Sequence, residues 1–182
     1  DGDALFISVG SAGNVDQDSF RSRVRRCLLP SDFQDCPVWS DGLRNEVGLA
    51  LDKDGVLWGG ENSADRLYRD DLGGDIHNDN PADELNKLLE DTHYGYPYCW
   101  TEFLLEQGQG PGTVWAWPDF MDEYSDEWCR NNTKAPELAL QAHSAPLGIT
   151  FYKYQDDQCE GRLRPEFDGH AFVTYHGSWN RD

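Results

Sequence analysis

The sequence has 182 residues, and its 15 lysines and arginines are outnumbered by 34 aspartates and glutamates, which gives a formal net charge of −19. So acidic a chain lacks the basic surface with which nucleic-acid-binding proteins neutralise phosphates. It also has no apolar run near the ~20 residues that a membrane-spanning helix needs. We therefore expect neither a nucleic acid nor a membrane as a partner. The aromatic share of 13% is typical of a folded chain rather than a disordered acidic one.

The elements that the sequence predicts are almost all strands. In chain order, the β-rich runs lie at residues 4–9, 23–28, 48–52, 55–58, 84–88, 136–140, 148–152 and 167–175. Asp54-Gly55 separates two of these runs, and Asp-Gly between β-rich segments is a strong hairpin signal. The periodicity of an amphipathic helix is not sustained anywhere. The sequence therefore predicts an all-β fold.

The unit of strand, glycine turn and strand at residues 48–58 recurs more loosely at 148–175, and residues 1–9 match its second half. Recurrence at intervals of about 50 residues or more indicates propeller blades. We expect residues 1–182 to be part of a single β-propeller domain. Its predicted parts are a partial first blade, a second blade around 44–90, a long aromatic loop at 91–134 and a next blade from 135.

Three blades cannot close a ring, because propellers have roughly 4–8 of them. The chain begins with Asp1-Gly2 directly before an apolar run and shows no signal peptide. We therefore expect a piece of a longer chain, or a mature form cut within its precursor. The missing blades would come from the same chain or from another one.

The cysteines indicate an oxidising compartment. They are Cys27, Cys36, Cys99, Cys129 and Cys159. None has the paired CxxC spacing of a zinc site, so disulfides are favoured over metal binding. The first two bracket a short polar loop, the next two flank an aromatic stretch that they could staple, and the last stands apart; the connectivity stays open. With the N-glycosylation sequon at Asn131, this predicts a secreted, extracellular glycoprotein.

Several strings of residues, in order along nearly the whole chain, carry a resemblance to a known family. They are Asp41-Gly-Leu-Arg-Asn-Glu-Val-Gly-Leu-Ala50, Glu61-Asn-Ser-Ala-Asp-Arg-Leu67, Asp83-Glu-Leu-Asn86, Tyr94-Gly-Tyr-Pro-Tyr-Cys-Trp100, Ala142-His-Ser-Ala-Pro-Leu-Gly148 and His176-Gly-Ser-Trp-Asn-Arg181. The chain resembles the sorbosone dehydrogenase and soluble glucose dehydrogenase family. Its Thr113-Val-Trp-Ala-Trp-Pro118 insertion is most similar to the fungal secreted pyranose dehydrogenases. The resemblance implies a six-bladed β-propeller, about three blades of it in this chain, that oxidises sugars with pyrroloquinoline quinone (PQQ) and calcium.

PQQ is a flat tricarboxylate, so an acidic protein needs a local cluster of cations to hold it, and arginine pairs with carboxylates bidentately. The resemblance implies that Arg44 and the neighbouring amide of Asn45 bind the cofactor. It places Trp179, Asn180 and Arg181 on the cofactor's other side. The alternatives are a surface ion pair for Arg44 and plain core packing for Trp179.

Calcium prefers oxygen ligands, including backbone carbonyls. The resemblance implies that the carbonyls of Ser63 and Ala64, in the turn after the second strand of a blade, hold this ion; the alternative is an ordinary loop. The acidic segment at residues 65–81 lacks the EF-hand pattern. It is better interpreted as a solvated loop, with Glu84 as a possible ligand if an ion binds there.

His143 and His176 lie at blade edges that the family directs toward its central site. We assign them to the pocket wall, with His143 among the cofactor-binding residues, although core packing is equally compatible with His176. Histidine suits the base that accepts a proton from a sugar hydroxyl. In the family, however, that base lies upstream of the point matched by Asp1. The catalytic residues of the reaction are therefore unknown from this sequence.

The sequence thus predicts part of a calcium- and PQQ-dependent enzyme that oxidises an aldose or ketoaldose at the anomeric hydroxyl. Electrons would leave to a cytochrome or another external acceptor. The basic run of residues 21–26 could dock the acceptor, although such a run is more often a solvated strand face. One rival is a non-catalytic, calcium-stabilised propeller that acts as a binding or scaffold module. Another is a lactonase-type propeller, in which several carboxylates would converge on the metal.

Overall fold

The computed structural model of the chain describes residues 3–18, 20–29, 35–155 and 160–180. Its strands are β1 (Ala4–Val9), β2 (Arg23–Leu28), β3 (Val38–Asp41), β4 (Glu46–Leu51), β5 (Leu57–Glu61), β6 (Tyr68–Arg69), β7 (Gly74–Asp75), β8 (Asp83–Lys87), β9 (Thr92–His93), β10 (Cys99–Thr101), β11 (Val114–Ala116), β12 (Leu138–Leu140), β13 (Pro146–Phe151) and β14 (Ala171–Tyr175). The described residues form one α-helix, α1 (Asp126–Asn132). None of their helices is long and apolar enough to span a bilayer. The all-β prediction is confirmed, and the number of blades stays a prediction.

Two four-stranded sheets and a hairpin organise the chain. The first sheet has the strand order β1-β2-β3-β9, and β9 runs parallel to β3. The second sheet has the order β12-β8-β5-β4 and is antiparallel throughout. Strands β13 and β14 pair with each other, and β13 packs against β4 and β5.

The second sheet and the β13–β14 hairpin approach each other most closely at two glycines. A Cβ atom on Gly48 would lie 2.9 Å from the Cα atom of Gly148. Because real Cβ atoms do not approach backbone atoms so closely, neither sheet could keep its position if Gly48 carried a side chain.

The β4–β5 hairpin forms as the sequence predicts. Gly55 takes the left-handed conformation, with φ of 78°, which a residue without Cβ adopts freely. The carboxylate of Asp52 accepts hydrogen bonds from the backbone N–H groups of Asp54 and Val56, both at 2.9 Å. Its second oxygen accepts from the indole of Trp58. One side chain therefore closes the turn and attaches it to the second strand.

The segment at residues 91–134, predicted as a long aromatic loop, contains β9, the β10–β11 hairpin and α1. Helix α1 begins after Ser125, whose hydroxyl accepts from the N–H of Trp128. It has only seven residues, too few to produce a detectable helical period. Strand β12 then pairs with β8. It thus completes the second sheet, and the division of the chain into blades stays a prediction.

Two disulfides are formed, and the preference for disulfides over zinc is confirmed. Cys27 bonds to Cys36, and Cys99 bonds to Cys129. Cys159 lies outside the described residues. The second disulfide joins β10 to α1, so it closes the segment inserted between β8 and β12.

The buried apolar residues form separate clusters. One lies between the two large sheets and contains Val24, Leu43, Leu57, Leu88 and Tyr94. Another gathers three tryptophans of the inserted segment around Ala64 and Leu67; these are Trp100, Trp115 and Trp117. The aromatic insertion therefore packs beneath the turn that follows β5.

Candidate functional site

An open cavity of about 480 Å³ lies beside the second sheet where four segments of the chain meet, one of them residues 11–14 of the loop after β1. The β3–β4 turn contributes Arg44 and Asn45, and the β5–β6 loop contributes Asp65 and Arg66. Trp179, which follows β14, also lines the cavity and is 82% exposed. Three of the predicted cofactor residues therefore face one space, and Trp179 is not part of the packed core.

The backbone holds the side chain of Arg44 in one orientation. Its NH1 donates to the carbonyls of Asn62 at 3.1 Å and Ser63 at 2.7 Å, and its Nε donates to the carbonyl of Asn14 at 3.4 Å. The backbone N–H of Arg44 donates to the Glu61 carboxyl at 2.7 Å. With its side chain 16% exposed, Arg44 is a fixed cation at the cavity wall rather than a mobile surface charge.

The turn after β5 is held just as firmly. The N–H of Ser63 donates to Asp83 at 2.9 Å, and its hydroxyl donates to the carbonyl of Ala82. The carbonyl of Ser63 accepts from Arg44. Ala64 is 5% exposed and packs in the tryptophan cluster. The two predicted metal ligands are thus rigid, and one of them contacts the predicted cofactor arginine.

His143 lies on a neighbouring cavity of about 510 Å³, which Tyr175 and Ser178 also line. Its side chain is 3% exposed, and its backbone has φ of 54°, a conformation that costs energy for a residue with a Cβ. Its Nε2 is 2.5 Å from the carbonyl of His77, so this nitrogen carries the proton that is donated. The hydrogen bond of Nε2 therefore holds the ring of His143, and Nδ1 lies 3.6 Å from Asp65, which is longer than a hydrogen bond.

Asp65 connects the two cavities. Its Oδ1 accepts from the amide of Asn180 at 2.6 Å and lies 3.6 Å from Nδ1 of His143. Its Oδ2 lies 3.7 Å from NH2 of Arg44. Asn14 exchanges two hydrogen bonds with the Asp65 backbone, at 2.6 and 2.7 Å. One carboxylate thus contacts three of the predicted cofactor residues.

The remaining predicted residues are less well connected. Asn45 lines the first cavity, and its carbonyl accepts from the N–H of Asn62. His176 is exposed, and its ring contacts only the adjacent carbonyl of Gly177 in the described residues. Arg181 lies outside the described residues.

Three glutamates stand side by side at the end of the second sheet. Glu46 pairs with Glu61 across β4 and β5, and Glu61 pairs with Glu84 across β5 and β8. Each of the three is less than 10% exposed. The amide of Asn86 donates to Glu61 at 3.2 Å and to Glu84 at 3.1 Å. Among the described atoms, neither carboxyl oxygen of Glu46 has a hydrogen-bond partner.

These glutamates do not titrate like exposed carboxyl groups. Burial raises the pKa of Glu84 to about 7. Burial, followed by repulsion from the neighbouring carboxyl groups, raises the pKa of Glu46 and of Glu61 well above the ordinary value. Because like charges directly opposite on a sheet repel each other, the cluster retains protons at neutral pH. Glu61 and Glu84 line a small cavity together with Arg44 and Ser63, so these protons lie directly behind the first cavity.

The residues present fit both groups that the sequence resemblance implies. NH2 of Arg44 is 3.7 Å from its nearest recorded carboxylate, which is longer than a hydrogen bond. It can therefore accept an incoming carboxylate, with Arg66 as a second cation on the wall. No group of three or more His, Cys, Asp or Glu in the described parts of the chain could hold a metal ion. A calcium ion here would thus depend on main-chain carbonyls such as those of Ser63 and Ala64.

The basic run of residues 21–26, which includes most of strand β2, makes contacts within the chain. Arg21 pairs with Asp16 at 2.6 Å and Asp18 at 2.9 Å. The guanidinium of Arg26 lies 5.4 Å from the ring centre of Trp39. These contacts favour the structural interpretation of this strand over a docking surface.

Sequence reasoning missed Asp65 and the glutamate cluster. Asp65 is hidden in an acidic run, and no local pattern indicates its contacts with residues 78 and 115 positions later. The pairing of Glu46 with Glu61 was accessible, because the Asp54-Gly55 turn sets the register of the hairpin. The position of Glu84 on the adjacent strand required the sheet order.

Comparison with known proteins identifies relatives along nearly the whole chain. A curated relative, the "Pyrroloquinoline quinone-dependent pyranose dehydrogenase" of Coprinopsis cinerea, is 33% identical over 96% of this chain and 26% of its own length. The "Pyrroloquinoline quinone-dependent sugar dehydrogenase" of Hypocrea jecorina is 31% identical over 96% of this chain and 43% of its own. The chain therefore spans less than half the length of these relatives.

A solved structure extends the similarity to the fold. The calcium structure of Trichoderma reesei Carbohydrate-Active Enzymes Family AA12 matches with a TM-score of 0.83 and 29% identity, over 98% of this chain and 47% of that one. The family model described as TrAA12-like matches residues 1–182. From this match along its whole length, the chain belongs to the TrAA12-like family.

Proposed function

We propose that the intact protein is a secreted, calcium- and PQQ-dependent dehydrogenase that oxidises a sugar at its anomeric hydroxyl and passes electrons to an external acceptor such as a cytochrome. This chain would supply about three blades of a six-bladed propeller, including one wall of the cofactor site. The relatives named for PQQ-dependent sugar oxidation support the activity. The family structure that contains calcium supports the metal.

The observation that carries the proposal is the fixation of Arg44. Three backbone carbonyls hold Nε and NH1, so the remaining nitrogen, NH2, has a defined position at the cavity. A guanidinium held in this way loses little further entropy when it binds a carboxylate. A surface ion pair would not need carbonyls from two separate loops to orient it.

The residues of this chain would bind and orient rather than take the substrate proton. Arg44 and Asn45 would hold a carboxylate of the cofactor, and the carbonyls of Ser63 and Ala64 would hold the metal. The buried tryptophans around Ala64 keep water away from the back of this turn. When bound, the quinone serves as hydride acceptor and calcium polarises its carbonyl as a Lewis acid.

The test is a titration of the intact protein with PQQ at saturating calcium, followed by the cofactor's absorbance. Arg44→Ala should weaken binding by about 10- to 100-fold, because a charge-assisted hydrogen bond contributes ~1.5–3 kcal/mol. Arg164→Ala is the matched control. The side chain of Arg164 is 76% exposed, and its ion pair within the described residues is with Glu166.

Equal binding by the wild type and the Arg44 variant would reject the site. Absence of PQQ binding by the wild type would reject the enzyme proposal and favour a non-catalytic propeller that binds or organises partners.

A further inference from the structure

Asp65 occupies a position that neither the sequence nor the comparisons assign a role. It follows the turn of Ser63 and Ala64, and its side chain is 31% exposed at the cavity wall. It is joined to residues far away in the sequence, namely Asn14, His143 and Asn180. It therefore lies where the loop after β1, the loop after β12 and the segment after β14 meet.

Each part of Asp65 has its own partner. Its backbone N–H and carbonyl are both bonded to the side-chain amide of Asn14, which fixes the main chain. Its Oδ1 then contacts Asn180 and His143, while Oδ2 faces Arg44. Because the main chain is fixed, the carboxylate is a fixed acceptor for Asn180, whereas Arg44 and His143 are also held by backbone carbonyls.

Two of these contacts are chemically complementary, because Asn180 offers an N–H donor and Arg44 offers a cation. The ring of His143 lies beside the same carboxylate, with Nδ1 at 3.6 Å. Asp65 is the only carboxylate that forms a recorded ion pair with Arg44 in the described part of the chain. At 3.7 Å this contact orients the guanidinium without occupying it as a short hydrogen bond would.

We propose that Asp65 is a positioning residue of this site: its carboxylate anchors Asn180, and with it the segment after β14, beside Arg44 and His143 in the arrangement that accepts a carboxylate-bearing cofactor. The relevance to the cofactor rests on the proposed function, whereas the positioning itself is a property of the chain. Asp65 makes two kinds of contact. The hydrogen bond to Asn180 needs only an oxygen atom at residue 65, whereas the contact with Arg44 depends on charge.

The first experiment needs no ligand. Hydrogen exchange of the intact protein is measured by mass spectrometry for the wild type, Asp65→Ala, Asp65→Asn and the control Asp122→Ala, an exposed carboxylate. Asp65→Ala should accelerate exchange at residues 178–180 by about tenfold or more, because this segment loses the hydrogen bond of Asn180. Residues 142–145, which Asp83 also holds, should change less. Asp65→Asn retains an oxygen for Asn180 and should exchange like the wild type. Unchanged exchange in the alanine variant would overturn the proposal.

The second experiment measures PQQ binding by absorbance at two calcium concentrations. Asp65→Ala should bind at least tenfold more weakly, whereas Asp65→Asn should bind as well as the wild type or better, because it removes a negative charge beside the incoming carboxylate. If both variants, including Asp65→Asn, needed more calcium than the wild type to bind PQQ, Asp65 would be a metal ligand, and the positioning role would be overturned. If the wild type binds no PQQ, the proposed function fails while the exchange experiment still decides the positioning role.

Discussion

Glu46 and Glu61 lie directly opposite each other on β4 and β5, and both are buried. Glu84 continues the row on β8. Two ionised carboxylates at paired positions of a sheet would repel each other with little screening by water. These three glutamates can therefore be buried without strong repulsion only while they retain protons.

The stability of the protein should consequently depend on pH. Glu84 has a pKa of about 7 when folded, against an ordinary value of 4.5, so the folded state binds more protons than the unfolded state between these values. This contribution is complete below pH 4.5 and is lost as the pH rises through 7. We expect denaturant unfolding without added calcium to show a loss of stability between pH 5 and pH 8, to which Glu84 contributes about 2–3 kcal/mol. The raised pKa values of Glu46 and Glu61 add to this loss.

Glu84→Gln should reduce this slope by the contribution of Glu84 and make the protein more stable than the wild type at pH 8, while Glu46 and Glu61 maintain the remaining slope. Glu137→Gln is the control, because Glu137 is exposed and pairs with Lys134 at the surface. A slope that is equally steep in the Glu84 variant would contradict the assignment.

The approach of β4 to β13 should be intolerant of a single methyl group. Gly48→Ala places its Cβ 2.9 Å from the Cα of Gly148, so the two sheets must separate. We expect a loss of ~1–3 kcal/mol in the free energy of unfolding, measured by denaturant titration. Gly161→Ala, with nothing within 4 Å of the new Cβ, should be neutral. Equal stability of the two variants would show that the sheets are free to shift.

The disulfide of the inserted segment should stabilise more than the other one. Cys99 and Cys129 are 30 residues apart, whereas Cys27 and Cys36 are 9 apart. Closing the longer loop removes more entropy from the unfolded chain, with ~3–4 kcal/mol expected against ~2–3. Thermal unfolding of the two double alanine variants tests this order. A larger loss for the shorter loop would contradict it.

The inserted segment should also depend on one buried arginine. Arg69 is 2% exposed; it donates to the carbonyl of Ala116 at 2.9 Å and pairs with Asp71 at 2.7 Å and Asp126 at 3.0 Å. Arg69→Lys keeps the charge and loses the planar fork. We expect ~1–3 kcal/mol of destabilisation in urea titration, with Arg164→Lys unchanged. If Arg69→Lys were as stable as the wild type, charge alone at this position would be sufficient.

The strands were predictable because they depend on local chemistry. The Asp54-Gly55 turn and its flanking β-rich runs specify the β4–β5 hairpin without help from the rest of the chain. Strand β12 was predictable as a strand, but its partner was not. Because a long segment separates β12 from β8 in the sequence, local patterns do not indicate that these strands pair. Only tertiary packing determines which sheet contains β12.

The candidate site also contains residues that the sequence predicts and residues that it does not. Arg44 and Asn45 could be selected from the sequence because a recognisable string contains them. The importance of Asp65 depends on contacts with the loop after β12 and the segment after β14. Burial of Glu46 and Glu84 depends on strands from different parts of the chain. Such relationships exist only after the sheets have assembled.

The separation of β12 from β8 has a consequence during synthesis. About 50 residues lie between Lys87 and Leu138, and a ribosome adds roughly 5–20 residues each second. The outer edge of β8 therefore emerges several seconds before its partner strand and remains open to other nascent chains. Such an edge is a template for aggregation. Fast translation through this segment, which shortens the exposure, or a chaperone that covers β8 would therefore raise the yield of folded protein.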